Sequence, residues 1–240
     1  MKAYFLLIIL FIISACAPLP ISIMDEIQLE KITSNHFSEW SLEECEFIIA
    51  AQTSSNINHY TSYEAALSIS KDRVFIDALP LNEIVIKALV RKTAIEKRLN
   101  NNEYKNLLNH ELINYAGLEL NDAGKIVPTD IPTDSLSFSF KITFENVSNP
   151  YRPIIFEDGY SYFFLENKEG MFARVKEISG FFVEDDFILN DFLTVIITFK
   201  IKDDNNNSLF NIAYQNYDYS LVFNGLQPTP IKLSWEKANY

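Results

Sequence analysis

The chain has 240 residues, of which 48% are hydrophobic and 22% charged; this composition excludes a wholly disordered chain, a collagen-like repeat and a polytopic membrane protein. With 32 acidic and 20 basic residues the net charge is −12, which argues against binding to nucleic acid. The 6 glycines are scattered, so glycine-rich phosphate-binding loops are nearly excluded as well.

The first residues predict export from the cytoplasm. Lys2 is followed by an uncharged run over residues 3–15, shorter than the roughly 20 apolar residues of a membrane-spanning helix but typical of a secretory signal peptide. The run closes with an aliphatic residue and two small residues before a cysteine, Ile13-Ser14-Ala15-Cys16. This ending resembles the lipobox of bacterial lipoprotein precursors. The alternative is an ordinary signal peptide that happens to end in cysteine.

The lipobox resemblance implies that residues 1–15 are removed and that Cys16 carries a thioether-linked diacylglycerol at the new N-terminus. Two or three acyl chains hold a protein stably at a membrane without a spanning helix. Pro18 and Pro20 predict a short extended tether over residues 16–24. Because Ala17 and not aspartate follows the cysteine, the lipoprotein sorting pattern favours the outer membrane in a cell with two membranes.

Residues 25–127 are predicted to form a mainly helical subdomain. Ser41 and Glu44 make a capping box for a helix that carries Cys45 on its apolar face. A buried small residue is the expected role of Cys45, and a nucleophile is the alternative. If Cys16 is acylated, Cys45 has no partner for an internal disulfide. Residues 73–79 are predicted to form either a short strand or an extended lead-in to the next helix.

Two further helices are predicted before the end of this subdomain. Asn82 opens the first, the triplet at residues 100–102 interrupts it, and Gly117 caps the second. The short join predicts an antiparallel helix pair.

The pattern changes after a linker over residues 128–134. In residues 136–145 every even position is apolar and every odd position polar, which predicts a half-buried strand. Further strands are predicted over residues 153–156, 160–165, 172–178, 192–201, 217–223 and 231–235. About seven short strands separated by turn signals predict an antiparallel immunoglobulin-like β-sandwich over residues 135–240, and an α+β chain overall.

The chain as a whole resembles uncharacterised bacterial lipoproteins that join a small helical region to such a sandwich. The segments that carry this resemblance lie at residues 40–45, 85–89 and 144–150. The resemblance implies no activity.

No motif predicts a metal, a cofactor or a catalytic residue. His36, His59 and His110 lack zinc-ligand spacing. Asp203-x-Asn205-x-Asn207 begins like a calcium loop but lacks the required glycine and bidentate glutamate, so a hairpin loop is expected. Neighbouring carboxylates such as those at residues 185–186 diverge, whereas glycoside hydrolysis needs two that face each other across a cleft.

Two surfaces are candidates for binding. Lys87, Arg91 and Arg98 are spaced to share one helix face, which predicts either a solvated face, one turned to the acidic sandwich, or a docking strip for anionic headgroups or an acidic partner. The sandwich has more aromatic residues than one inner face holds, so some pack on the helices or form a glycan or protein contact. These aromatics are Tyr160, Tyr162, Phe163, Phe164, Phe181, Phe182, Tyr214, Tyr217 and Tyr219.

We therefore expect a membrane-anchored, extracytoplasmic lipoprotein that binds or scaffolds in the cell envelope without catalysis, through a protein or glycan partner. One alternative is an envelope hydrolase with a site between the helical part and the sandwich. A carboxylate-lined cleft would favour it. Another alternative is a glycan-binding module, favoured by a row of exposed tyrosines on one sheet.

Overall fold

The computed structural model describes residues 23–59, 73–130, 134–145, 162–179, 192–202, 208, 219–224 and 230–235. The predicted signal peptide, Cys16 and most of the predicted tether lie outside these residues. So do the predicted strand at 153–156 and the loop of Asp203, Asn205 and Asn207.

The described part of the chain contains four α-helices. They are α1 (Ile23–Thr33), α2 (Leu42–Gln52), α3 (Glu83–Lys97) and α4 (Asn101–Ala116), with a 3-10 turn at Phe37–Glu39 between α1 and α2. Helix α1 begins at Ile23, so the last two residues of the predicted tether are helical. None of the helices in the described ranges is both long and apolar enough to cross a membrane.

The helix ends follow the predicted capping chemistry. The Ser41 side chain accepts the backbone N–H of Glu44, and the Glu44 carboxylate accepts the backbone N–H of Ser41. Asn100 and Glu103 make the same reciprocal pair at the start of α4. Gly117 ends α4 with φ of 63°, a left-handed conformation that glycine adopts without a steric cost. The capping box at Ser41 and the cap at Gly117 are therefore confirmed.

The described strands form a large sheet and a small hairpin. The hairpin pairs β3 (Leu118–Leu120) with β4 (Ile126–Pro128). The sheet has eight antiparallel strands in the order β1-β2-β5-β8-β7-β6-β9-β10. Its strands are β1 (Ser54–His59), β2 (Arg73–Pro80), β5 (Ser135–Glu145), β6 (Phe163–Asn167), β7 (Phe172–Ser179), β8 (Phe192–Lys200), β9 (Tyr219–Phe223) and β10 (Ile231–Ser234).

The even-numbered residues of β5, from Leu136 to Ile142, face the inside of this curved sheet. Phe138 meets Tyr219 of β9 with ring centroids 5.7 Å apart, and Phe140 meets Phe223 at 5.2 Å. Since β5 and β9 are not neighbours in the sheet, these rings meet across an interior that the curved sheet encloses. Each such buried side chain stabilises the fold by roughly 1.5–3 kcal/mol.

The two ends of the sheet approach each other. The Ser54 hydroxyl of β1 donates to the carbonyl of Ser234 in β10 at 2.9 Å. The Trp235 indole N–H donates to the carbonyl of Gln52 at 2.8 Å, and its ring lies 5.3 Å from that of Phe138. The sheet is thus nearly closed, and these contacts hold its seam together.

The α+β prediction is confirmed, whereas the immunoglobulin-like sandwich is not. The strands form one continuous hydrogen-bonded order that curves back on itself, and periodicity alone does not specify strand order. The strands β1 and β2 lie within the predicted helical subdomain but are part of this sheet. All of β2, from Arg73 to Pro80, pairs with β5. The segment at 128–134 therefore does not separate helices from sheet.

A second core lies between the helices and the outer face of the sheet. Leu108 and Leu112 of α4, Val85 of α3 and Ile48 of α2 are buried in it, and Ile196 of β8 contributes from the sheet. Ile196 lies between Val195 and Ile197, which face the interior, so it points outward towards the helices. Cys45 is fully buried in this core, as predicted.

Candidate functional site

A cleft of about 800 Å³ lies between the helical part and the sheet. One wall is the C-terminal end of α4 with the β3–β4 hairpin, and the other is the outer surface of β5, β7 and β8. Four carboxylates line it, one from β3, two from the segment between β4 and β5 and one from β7, and we call it the acidic cleft; they belong to Glu119, Asp130, Asp134 and Glu177. Its volume is typical of small-ligand sites, which span about 300–1,000 Å³.

One end of the acidic cleft holds a network around Asp134. The Ser135 hydroxyl donates to Asp134 Oδ1 at 2.7 Å, and Lys176 Nζ lies 3.2 Å from the same oxygen. The Ser135 hydrogen bond and the Lys176 charge together lower the pKa of Asp134. Asp134 is therefore ionised at neutral pH, and Lys176 is the cation that balances it.

A β-bulge brings Lys176 and Glu177 into the acidic cleft. Val175 pairs with Phe199 and Glu177 with Thr198, so Lys176 is the extra residue. The bulge lets two consecutive side chains reach the outer surface of β7, where a regular strand would turn one inward.

Tyr115 supplies a neutral donor on the helical wall. Burial raises the pKa of its hydroxyl, and the nearby carboxylates of Glu111 and Glu177 raise it further. The hydroxyl therefore keeps its proton and can donate a hydrogen bond to a ligand at neutral pH. Ser179, Thr129 and Thr198 add further hydroxyl groups around it.

The lining of the acidic cleft favours a positively charged or hydroxyl-rich ligand. Its four carboxylates outnumber the single ammonium group of Lys176. Among the described residues no group of three or more histidine, cysteine, aspartate or glutamate side chains is arranged to hold a metal ion. The carboxylates and hydroxyls of the described lining residues offer electrostatic contact and hydrogen bonding to a ligand.

The three residues of the predicted cationic strip make different contacts in the structure. Lys87 forms an ion pair with Glu83, and its Nζ lies 5.2 Å from the ring centre of Phe37. Arg91 Nε donates to the carbonyl of Trp40 at 3.0 Å, which ties α3 to the turn before α2. Arg98 is exposed at the other end of α3. Docking through all three remains a prediction, but only Lys87 and Arg91 gather at the same segment.

Lys87 belongs instead to a second, smaller concavity of about 330 Å³. We call it the basic pocket, and its charged or titratable lining residues are His36, Lys87 and Lys125. It lies where the end of α1, the 3-10 turn and the start of α3 meet the β3–β4 hairpin. The sequence pattern did not indicate Lys125, because that residue is distant along the chain from the helix that supplies Lys87.

The predicted aromatic surface is mostly interior where the structure describes it. Phe163 and Tyr219 are buried in the sheet core, and Tyr162 packs against it. Phe172 is the most exposed of the large hydrophobic residues described, at 61%, and pairs with Phe164 at 6.3 Å. The remaining predicted aromatics lie outside the described residues: Tyr160, Phe181, Phe182, Tyr214 and Tyr217. The described tyrosines of this set therefore form no exposed row.

Cys45 is not placed for nucleophilic chemistry. Burial raises the pKa of its thiol to about 11, so the thiolate is scarce at neutral pH. His110 is exposed on α4, where it lies 3.0 Å from Glu111 and 3.2 Å from the side chain of Asn114, a residue that lines the acidic cleft, although His110 itself does not line it.

Comparisons with known proteins give little guidance on function. No protein-family model and no curated protein matches the sequence. Among solved structures the chain is similar to a novel protein of unknown function from Burkholderia pseudomallei, with 10% identity, 80% of this chain and 84% of that chain covered, and a TM-score of 0.39.

Proposed function

We propose that this protein is an extracytoplasmic lipoprotein, anchored to a bacterial membrane through Cys16, that binds a ligand in the acidic cleft. The tetrapeptide Ile13-Ser14-Ala15-Cys16, at the end of an uncharged run of signal-peptide length, supports the location. In a cell with two membranes, Ala17 favours the outer one. The role is binding or scaffolding in the envelope, without catalysis.

The two cysteines provide a matched test of the anchor. In cells fed radiolabelled palmitate, we expect the wild-type protein to carry label and to sediment with membranes. Cys16→Ser should lose the label, whereas Cys45→Ala should keep it. Label that persists in Cys16→Ser, or membrane protein that retains an unmodified Met1, would contradict the anchor.

The ligand proposal is supported by the charge of the acidic cleft. Carboxylates of partly exposed residues each contribute up to about 1 kcal/mol to an ion pair. A ligand with several amino groups can engage Glu119, Asp130 and Glu177 while Lys176 remains paired with Asp134. We therefore propose an amine-bearing ligand, such as a lysine-rich peptide or a polyamine.

This proposal is tested by calorimetric titration of the full-length protein with trilysine and, separately, with the neutral sugar chitotriose. We expect saturable binding of trilysine that weakens about five- to tenfold in Glu119→Gln/Glu177→Gln. The control Glu43→Gln removes an exposed carboxylate on α2, away from the cleft. Binding of chitotriose alone, or equal weakening in the control, would contradict an amine ligand.

An envelope hydrolase is the second candidate, because Glu119 of β3 and Glu177 of β7 bring carboxylates to the acidic cleft from different elements and not from adjacent positions. In that case purified cell-wall glycan should release reducing ends when mixed with the protein. The activity should disappear in Glu177→Gln and persist in Glu43→Gln. A wild-type protein that releases no reducing ends would leave binding as the function of the cleft.

A further inference from the structure

The basic pocket differs from the acidic cleft in the sign of the charge that its lining residues carry. Among its described lining residues are two lysines and a histidine, and none is acidic, although the chain as a whole has a net charge of −12. Positive charge that is gathered at one place on an otherwise acidic protein raises the local concentration of anions there. Its volume of about 330 Å³ is at the lower end of ligand sites and suits a small anionic group.

The β3–β4 hairpin fixes the position of Lys125. The Asn121 side chain accepts the backbone N–H groups of Ala123 and Lys125 at 3.0 and 2.9 Å, and Gly124 completes the turn with φ of 72°. Within the described part of the chain, the ammonium group of Lys125 forms no ion pair or hydrogen bond. A rigid backbone thus presents an unpaired cation at the rim of the basic pocket.

His36 adds a directed hydrogen-bond donor. Its Nδ1 lies 2.7 Å from the Ser38 hydroxyl and accepts the backbone N–H of Ser38 at 3.4 Å as the cap of the 3-10 turn; in the tautomer in which Nδ1 accepts in both contacts, the ring proton is on Nε2. The ring stacks on Phe37 with centroids 4.4 Å apart, which fixes its orientation. Neither contact uses Nε2, which leaves this donor for a ligand.

Lys87 supplies the second cation, and its ion pair with Glu83 affects how strongly it can bind an anion. Its ammonium group lies against the Phe37 ring and is ion-paired with Glu83, which is not part of the pocket lining. The charge of Lys87 is therefore partly neutralised in the free protein. An anion in the pocket competes with Glu83 for it.

We propose that the basic pocket binds a phosphate group, presented either by an anionic phospholipid or by a soluble phosphate ester, between Lys125, Lys87 and His36. Lysine binds phosphate as a concentrated point charge, and the imidazole N–H adds direction. The proposal is independent of the ligand in the acidic cleft and of lipid at Cys16.

The test uses the full-length protein in a neutral detergent, titrated with glycerol phosphate and, separately, with mixed micelles that contain phosphatidylglycerol or phosphatidylcholine. The fluorescence of Trp40, which lines the pocket, and calorimetry report binding. We expect saturable binding that Lys125→Glu weakens at least tenfold. Glu83→Gln, which frees Lys87, should strengthen it several-fold. Lys105→Glu, an exposed change on α4 outside the pocket, should alter it less than twofold.

The outcomes separate the source of the phosphate from the existence of the site. Binding of phosphatidylglycerol micelles without binding of glycerol phosphate assigns the pocket to a lipid headgroup, and binding of both assigns it to phosphate esters in general. Absence of binding to every probe overturns the proposal. Equal weakening by Lys105→Glu and Lys125→Glu, or no effect of Glu83→Gln, overturns it as well.

Discussion

Tyr104 lies in the helical core with a hydroxyl group that is buried and has no hydrogen-bond partner among the described residues. A buried polar group without a partner costs about 1–3 kcal/mol. We therefore predict that Tyr104→Phe raises the free energy of unfolding by about 1 kcal/mol, measured by urea denaturation. Tyr115→Phe, a change at the wall of the acidic cleft, should stay within about 0.5 kcal/mol. A destabilised Tyr104→Phe would mean that the hydroxyl has a partner.

Cys45 predicts a loss of stability in alkali. Its thiol has a reference pKa of 9.0 that burial raises to about 11 in the folded protein. The fold therefore favours the protonated thiol, and this contribution is complete below pH 9 and is lost as the pH rises to 11. The expected loss is about 1.4 kcal/mol per pH unit across that interval.

The measurement is urea denaturation at pH 8, 9, 10 and 11, with Cys45→Ala as the comparison. Because the variant has no thiol at this position, its stability should fall less between pH 9 and 11 than that of the wild type. Burial also raises the pKa of Tyr104 to about 12, so both proteins keep some alkaline sensitivity. Parallel stability curves for the two proteins would show that Cys45 does not titrate in this way.

At the scale of single elements, the C-terminal end of α3 contains a strained residue. Arg98 has φ of 54° and ψ of 44°, the left-handed conformation, which costs a residue with a β-carbon roughly 1 kcal/mol. Arg98→Gly should therefore stabilise the protein by about 1 kcal/mol in thermal or urea unfolding. It should also leave phosphate binding unchanged, because Arg98 does not line the basic pocket.

Lys97→Gly is the matched change one residue earlier, inside the helix. Glycine there adds backbone freedom without relieving strain, so a loss of about 0.5–1 kcal/mol is expected. If both glycine variants lose stability, the left-handed cap at Arg98 is not the source of strain.

The sequence predicts individual elements better than the contacts between them. The caps at Ser41 and Gly117 and the alternation in β5 depend on neighbours within a few residues, and the structure confirms them. The bulge in β7 is also visible in part, since Lys176 and Glu177 interrupt the alternation set by Ala173 and Val175. The acidic cleft is not predictable in this way, because Glu177 reaches it from a strand that is distant along the chain from the segment that contains Glu119, Asp130 and Asp134.

At the scale of the whole molecule, the interdependence of helices and sheet predicts that residues 135–240 do not fold alone. This fragment lacks β1 and β2. In the folded protein, β2 pairs with β5 from Phe138 to Glu145. Without them the interior at Ile142 and Phe140 opens to water on one side. We expect the fragment to show no cooperative thermal transition by circular dichroism, whereas residues 23–240 unfold cooperatively. A fragment that melts sharply would show that the C-terminal strands form a domain of their own.

The same pairing explains why the predicted domain boundary and the structure differ. Pro128 and the residues after it break the helical period, so the local pattern indicates a linker at 128–134. A strand over residues 73–79 is one of the two conformations that the sequence predicts, but nothing in these residues specifies β5 as the partner. The choice of partner depends on burial against the opposite wall of the sheet, and that information is distributed over the whole chain.

The hydrogen bond from Trp235 to Gln52 joins positions separated by 183 residues. A ribosome that releases the chain from its N-terminus frees Gln52 long before Trp235, so this contact cannot form until the chain has emerged as far as residue 235. Until then the phenylalanines of β5 have only part of their enclosure, and contacts this distant in sequence make folding slow. The protein is therefore expected to need protection from aggregation during synthesis, and a truncation that removes Trp235 should prolong that vulnerable period.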